Sequence, residues 1–407
     1  MLVSFAHEFI AAVALSLVNH MFFHHYEPTR STIGSAVALL AIQPCLLSVG
    51  IGLSGTSSLS IHLLLRISAS FFVALPSSIV LYRISPFHPL ANVPGPLAAK
   101  VSKLWGLWVC WTGRYHVVMK RLHDKYGPVI RTGPNEISTI EISAVAGVLG
   151  VSGLPKGQWY SVRQDLRAPK SILSLSGGEH AKRRKLWNRG LSWQALRDHE
   201  STLWQRVREL LRGIADTAKG KEGNTIDLDL WLKYFTFDFM GDMAFGQGSH
   251  MVRDGGDTTG LLKELVRFSK IRALLSHVPW AFEWAHILPF TSHQILGVRD
   301  YGINCVRSRV QRGPAIRDLW YYLNDEAGLE KQKPLTPDVL ADGMVAVIAG
   351  SDTSSAVMSI LVWCLLAHPD CYRRVEEEID EAFCDSLGEE IQYPELQAKL
   401  VYLEACM

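Results

Sequence analysis

Between residues 349 and 354 the chain reads Ala-Gly-Ser-Asp-Thr-Ser, and Asp352 is the only charge between Gly343 and Leu366. Small residues at Ala349 and Gly350 let a flat ligand lie close to the backbone. Thr353 offers a hydroxyl beside such a ligand, and Asp352 a group that exchanges protons. A second pair, His180 and Arg184, falls four residues apart in the basic run from Gly178 to Arg189, so the two share one helix face. Donors so placed hold a pair of carboxylates, with arginine offering a planar fork.

These residues need elements to carry them. The hexapeptide sits within Asp338–Asp370, where Thr336 caps the start, Pro337 suits the first turn and Pro369 stops the helix. A helix of roughly 30 residues is about 45 Å long at 1.5 Å per residue. Gly350 costs about 1 kcal/mol relative to alanine, and the hydroxyls of Ser351, Thr353, Ser354 and Ser355 compete with the ladder. A buried helix interrupted at this insert is therefore expected. The same apolar length suits a membrane span with a functional acid inside it, although the polar cluster argues against that. The basic run around His180 suits a solvated helix face, with Trp187 in the core.

The hexapeptide resembles the oxygen-binding motif on the long central helix of cytochrome P-450 monooxygenases, (Ala/Gly)-Gly-x-(Asp/Glu)-Thr-(Thr/Ser). Three further strings are similar to that family. Pro86, Pro89 and Asn92-Val93-Pro94-Gly95-Pro96 resemble its proline-rich hinge after an apolar N-terminus. Tyr126 to Glu136 resembles the YGPVxRxGPNE-like run of fungal members, and Tyr402-Leu403-Glu404-Ala405 resembles a string that leads into their Glu-x-x-Arg motif. The resemblance covers about Pro94 to Met407. It implies a mainly α fold with a small β-sheet, preceded here by N-terminal membrane helices, and haem b as cofactor. His180 and Arg184 match the Trp/His-x-x-x-Arg pair that grips a haem propionate. Ala349 and Gly350 would lie against the haem, Thr353 would face oxygen, and Asp352 would relay protons. The implied partners are dioxygen, an apolar small-molecule substrate, membrane lipid and an NADPH-dependent flavoprotein reductase, in a setting such as fungal secondary metabolism.

In that family the iron is held by a cysteine in a Phe-x-x-Gly-x-Arg-x-Cys-x-Gly loop beyond Glu-x-x-Arg. None of the seven cysteines here has that context, so no axial ligand is assigned. The expectation is a P-450 fold incomplete at its C-terminus, poorly stable and binding haem weakly or not at all. Two readings follow: a monooxygenase whose complete form is longer, or a truncated, inactive membrane-bound remnant. A polytopic transporter using Asp352 is a third.

The 407 residues, 48% hydrophobic with 12 Trp, are ample for a sizeable core. A net charge of +2 gives no overall field for nucleic acid. Scattered cysteines without a CxxC pair point to a reduced compartment. Three apolar stretches, about 2–23, 33–53 and 59–82, are each near the roughly 20 residues a bilayer requires. They read as an anchor rather than a removed signal peptide. The expected division is a membrane segment at 1–84 with one to three spans, a proline-rich linker at 85–98 and a partial catalytic domain at 99–407. Arg30 in the first connection, with Arg83, Lys100 and Lys103 after the third stretch, places the catalytic part on the cytosolic side of the endoplasmic reticulum membrane. From Leu203 to Tyr322 the pattern is helical with loops at 219–224 and 246–259. The aromatic run His277–Trp284, a charged helix at 370–384 and a last helix from Tyr393 complete the chain.

Overall fold

The computed structural model describes residues 2–407 apart from 27, 29–31, 55–59, 151–152, 158, 161–168, 220–224, 282–288, 314–316 and 385–390; at 2–4, 280 and 289–299 it describes the backbone alone. Arg30 and Phe282 to Trp284 thus lie outside the described residues or side chains. The chain divides into two compact units, Met1–Val162 with Lys270–Pro289, and Arg163–Ser269 with Phe290–Met407.

The first unit opens with three long helices, α1 (Leu2–His25), α2 (Ile33–Leu53) and α3 (Ile61–Ile84). Each is long and apolar enough to cross a membrane. The polar residues that interrupt the apolar stretches find one another. Arg66 on α3 donates through Nε and Nη2 to both oxygens of buried Glu8 on α1, at 3.0 and 3.2 Å. Asn19 Nδ2 on α1 donates to Gln43 Oε1 on α2 at 2.6 Å. An ion pair and an amide pair inside apolar helices are the satisfied form of groups that lipid would otherwise penalise.

After α3 come short helices α4 (Leu97–Val101), α5 (Leu104–Trp111) and α6 (Tyr115–Tyr126), then the antiparallel pair β1 (Val129–Gly133) and β2 (Glu136–Thr139). Lys103 pairs with Glu136 at the turn. Arg131, on β1 and wholly buried, fastens the proline-rich segment to this hairpin. Its Nη1 donates to Arg83 O at 3.1 Å and Leu90 O at 3.4 Å, and its Nη2 to Pro134 O at 2.7 Å. Its backbone N–H donates to Pro94 O at 2.7 Å. A Cβ at Gly95 would come within 2.3 Å of Arg131 O, so only glycine fits there. Helix α7 (Ile142–Leu149) follows.

The second unit holds α8 (Gly177–Gly190), α9 (Trp193–Arg197), α10 (Glu200–Lys219), α11 (Leu228–Phe245), α12 (Met251–Asp254), most of α13 (Leu261–Leu275), α14 (Pro289–Arg312), α15 (Leu319–Leu323), α16 (Thr336–Ala367), α17 (Pro369–Phe383), α18 (Tyr393–Lys399) and α19 (Val401–Cys406). Its centre is α11 laid along α16, from Gly343 beside Phe245 to Ser359, whose Oγ donates to Asp229 Oδ1 at 3.0 Å. Asp227 caps α11 by accepting from Leu230 N at 3.1 Å, and Gly246 ends it in the left-handed region at φ 67°. Trp231, Phe235, Phe237 and Phe245 of α11 are buried with Val339 and Val347 of α16 and Trp320 of α15. Gly343 of α16 lets the Phe245 ring approach, since a Cβ there would lie 2.6 Å from Phe245 Cζ. The loop expected at 246–259 contains α12, and the single last helix is two short ones, α18 and α19, because Leu400 turns out of helical geometry at φ −101° and ψ 58°.

The expected interruption of the long helix does not occur. Residues 336–367 form one unbroken α-helix. The hydroxyls that were to compete with the ladder are satisfied inside it: Ser351 Oγ donates to Val347 O and Thr353 Oγ1 to Ala349 O, each at 2.7 Å. Such back-bonding uses the lone pair a carbonyl keeps after its ladder bond. Nor is the helix buried along its length: Val357, Ile360, Trp363 and Leu366 are exposed.

Candidate functional site

Helix α16 changes character along its length. Its first half is clamped by α11 and α15, with Asp342, Gly343, Ala346 and Val347 buried. From the insert onward one side is open. Ala349, Thr353, Ala356, Val357 and Ile360, spaced by three and four residues, form an exposed stripe of small and apolar side chains headed by the Thr353 hydroxyl. Asp352 is exposed beside it. Gly350 faces the other way. A Cβ at this position would meet Met240 Cε at 2.5 Å, so the missing side chain makes room for α11. Of the two small residues singled out in the motif, Ala349 is the one on the open stripe.

Helix α8 carries the other predicted pair. His180 is half-buried, and Arg184 is exposed with Nε donating to Asn188 Oδ1 at 3.0 Å. The adjacent face, Arg183 and Trp187, is what ties α8 to α16. Arg183 Nη1 donates to Asp342 Oδ2 at 2.8 Å and Nη2 to Asp338 Oδ2 at 2.9 Å, and Trp187 Nε1 reaches Asp342 Oδ2 at 3.1 Å. Ile172 N supplies a fourth bond, to Asp342 Oδ1 at 2.7 Å. Trp187 packs against the core, as its composition suggested, and Arg189 is engaged by Glu330 at 2.7 Å.

This cluster escaped the sequence reading, although a signal existed. Asp338 and Asp342 are spaced four apart at the start of an apolar helix, and Arg183 and Trp187 repeat that spacing on a basic one. Asp342 lies two turns before Ala349, about 10 Å along the axis. The clamp therefore sets how the helix bearing His180 and Arg184 meets the helix bearing Ala349 and Thr353.

Six of the seven cysteines, all free thiols, lie within helices, and Cys384 follows directly on α17.

Residues 94–407 match the family model Cytochrome P450. The chain is 32% identical over 345 residues to cytochrome P450 monooxygenase FCK2 of Fusarium pseudograminearum, covering 83% of this chain and 60% of that protein. It is 28% identical over 402 residues to cytochrome P450 67 of Uromyces fabae, covering 97% of this chain and 71% of that one. It is 27% identical over 325 residues to tryprostatin B 6-hydroxylase of Neosartorya fischeri, covering 79% and 58%.

The chain belongs to the cytochrome P450 family, on a mainly helical fold with one small sheet, and haem is the cofactor of that family. It spans about three fifths of the length of the first of these relatives. The residues present fit the group on two counts. The open stripe of α16 has small side chains where a flat ring needs close approach, and Arg184 presents an exposed guanidinium suited to a carboxylate.

Proposed function

We propose that this chain supplies the oxygen-facing and propionate-facing parts of a haem-dependent monooxygenase that oxidises an apolar small molecule. The observation that carries this reading is the open stripe headed by Ala349 and Thr353 on a helix otherwise locked into its unit, in a chain whose residues 94–407 match the family. A thiolate-ligated haem, when bound, supplies the oxygen-activating chemistry. His180 and Arg184 would hold its propionates, and Ala349 would leave room for the ring. Thr353 Oγ1, whose proton now goes to Ala349 O, would hold a proton at the reacting face, and exposed Asp352 would deliver it.

Residues 1–84 would anchor the protein in the endoplasmic reticulum membrane. The 85–98 segment would connect that anchor to a catalytic part facing the cytosol, where an NADPH-dependent flavoprotein reductase delivers electrons. Three apolar helices with internally paired polar groups support the anchor. The names of several relatives support a role in fungal secondary metabolism, such as tryprostatin B 6-hydroxylase. The sulfur donor would come from the part of the relatives' length that this chain does not span.

Sequencing the transcript past the Met407 codon tests this. An in-frame Glu-x-x-Arg followed by a glycine-containing cysteine loop, and a thiolate-type carbon monoxide band from the purified product, are the expected results. A transcript ending at Met407, with no such band from its product, would replace the enzyme with a non-catalytic membrane protein.

A further inference from the structure

A cavity of about 360 Å³ opens in the first unit where the C-terminal ends of α1 and α3 meet the start of α2. One end of it is polar. His24, Tyr82 and Arg83 line it together with Asn135 from the β1–β2 turn. The Tyr82 ring centroid lies 4.8 Å from that of His24 and 5.7 Å from that of His20, with Tyr82 Oη 3.3 Å from His24 Nε2. The other end is apolar: Phe23, Val37, Leu40, Leu75 and Ile79 form its wall.

Among the described residues no acid faces the charge at the polar end. Arg83 donates to Val101 O at 2.6 Å, a carbonyl rather than a carboxylate. Arg131, which donates to the Arg83 carbonyl, is wholly buried, and its side-chain partners among the described residues are carbonyl oxygens and His88 Nε2 at 3.3 Å. Among the described residues no aspartate or glutamate lines the cavity. Elsewhere in the molecule the buried arginines are matched by acids, as Arg206 is by Asp242 and Arg309 by Asp318. Two guanidinium groups brought together without a carboxylate repel each other, and an anion placed against Arg83 removes that cost.

We propose that this cavity binds an anionic phospholipid, its phosphate against Arg83, His24 and Asn135 and the start of an acyl chain along Val37, Leu40, Leu75 and Ile79. A free phosphate would satisfy the polar end alone, whereas the apolar wall continues directly into the exposed sides of helices long enough to cross a bilayer. Cationic pockets between helices at a membrane face suit anionic headgroups for this reason. The inference rests on the membrane placement of α1–α3 proposed above.

The test uses the whole 407-residue chain in detergent micelles, with native mass spectrometry reading bound dioleoyl phosphatidate against dioleoyl phosphatidylcholine. One phosphatidate is expected to stay bound in preference to phosphatidylcholine and to resist competition by millimolar inorganic phosphate. Arg83→Gln is expected to weaken it by about tenfold or more, since a charge-assisted bond is lost. Val37→Trp, an exposed position on α2 that crowds the wall, is expected to weaken it while leaving Arg83 in place. Equal retention of the two lipids, or full displacement by inorganic phosphate, overturns the proposal. Carbonate extraction of membranes carrying the same chain separates the two levels. A chain that stays in the pellet but shows no lipid preference overturns the site alone, and one that is extracted overturns the membrane placement as well.

Discussion

Arg183 and Asp342 are 159 residues apart in the chain and 2.8 Å apart in the fold. Asp342 is wholly buried and takes bonds from a guanidinium, an indole and a backbone amide. A carboxylate so enclosed is tolerable only because every partner is present. Asp342→Ala leaves Arg183 with Asp338 but strands the Trp187 and Ile172 donors, so it is expected to destabilise the chain by about 3 kcal/mol. Asp342→Asn, which keeps an acceptor and loses the charge, should cost less. Urea unfolding followed by far-ultraviolet circular dichroism measures both, and equal stability of wild type and Asp342→Ala would show that the clamp carries no load.

The two glycines that face α11 should behave differently. At Gly350 an added side chain meets the flexible end of Met240, whereas at Gly343 it meets the rigid Phe245 ring. Gly350→Val is expected to cost about 1–3 kcal/mol through overpacking, with most of it recovered in the Gly350→Val, Met240→Ala double variant. Gly343→Ala should cost more than Gly350→Ala, because the ring cannot move aside. Thermal denaturation of the four variants gives the order.

Arg131→Lys is expected to loosen the 85–98 segment. An ammonium cannot reproduce a planar fork that spans the carbonyls of Arg83, Leu90 and Pro134. Limited trypsin digestion should then cut near Arg83 at least about tenfold faster, as a locally opened state becomes populated. An unchanged cleavage rate would mean that the prolines alone hold the segment.

Stability should fall as pH drops through the histidine range. Burial lowers the His199 pKa below its ordinary 6.5, against the opposing pull of Asp198 and Asp242. The unfolded chain therefore binds a proton that the folded one resists. The stabilisation is fully present above pH 6.5 and declines below it, as pH falls towards the folded pKa. His199→Gln should flatten the fall in melting temperature between neutral and mildly acidic pH.

In haem-loaded protein containing the cysteine loop, Thr353→Ala should divert reducing equivalents into hydrogen peroxide and lower product formed per NADPH by about tenfold or more. Asp352→Asn should slow turnover with less loss of coupling. Unchanged coupling in Thr353→Ala would remove the hydroxyl from the mechanism.

Much of the scaffold was legible because its signals are local. Pro337 and Pro369 bracket the long helix to within a few residues, although Thr336 is its first residue rather than its cap and Leu335 stands at the N-cap with no side-chain bond, and the Gly-Pro pairs mark both ends of β1. The three N-terminal helices follow from apolar length alone. What was not legible depends on partners far away in sequence. Nothing near Asp342 announces Arg183, and nothing in the Tyr126–Glu136 string says that Arg131 is buried against carbonyls instead of reaching an acid. The expected break at Gly350 failed for a related reason. Propensity counted the serine and threonine hydroxyls as competitors, while packing against α11 kept the helix continuous through them and left the hydroxyls to bond within it.

The Arg131 fastening has a mechanical consequence. A leash of free prolines would let the three-helix bundle rock while the hairpin stayed still. Here the carbonyl of Arg83, at the last turn of α3, and that of Pro134, at the hairpin tip, are gripped by one guanidinium. With α1–α3 placed in a bilayer as proposed above, a change in helix tilt, as when the bilayer thins or thickens, would swing the sheet with it, and the hairpin's angle to the lipid surface would follow the thickness of the membrane.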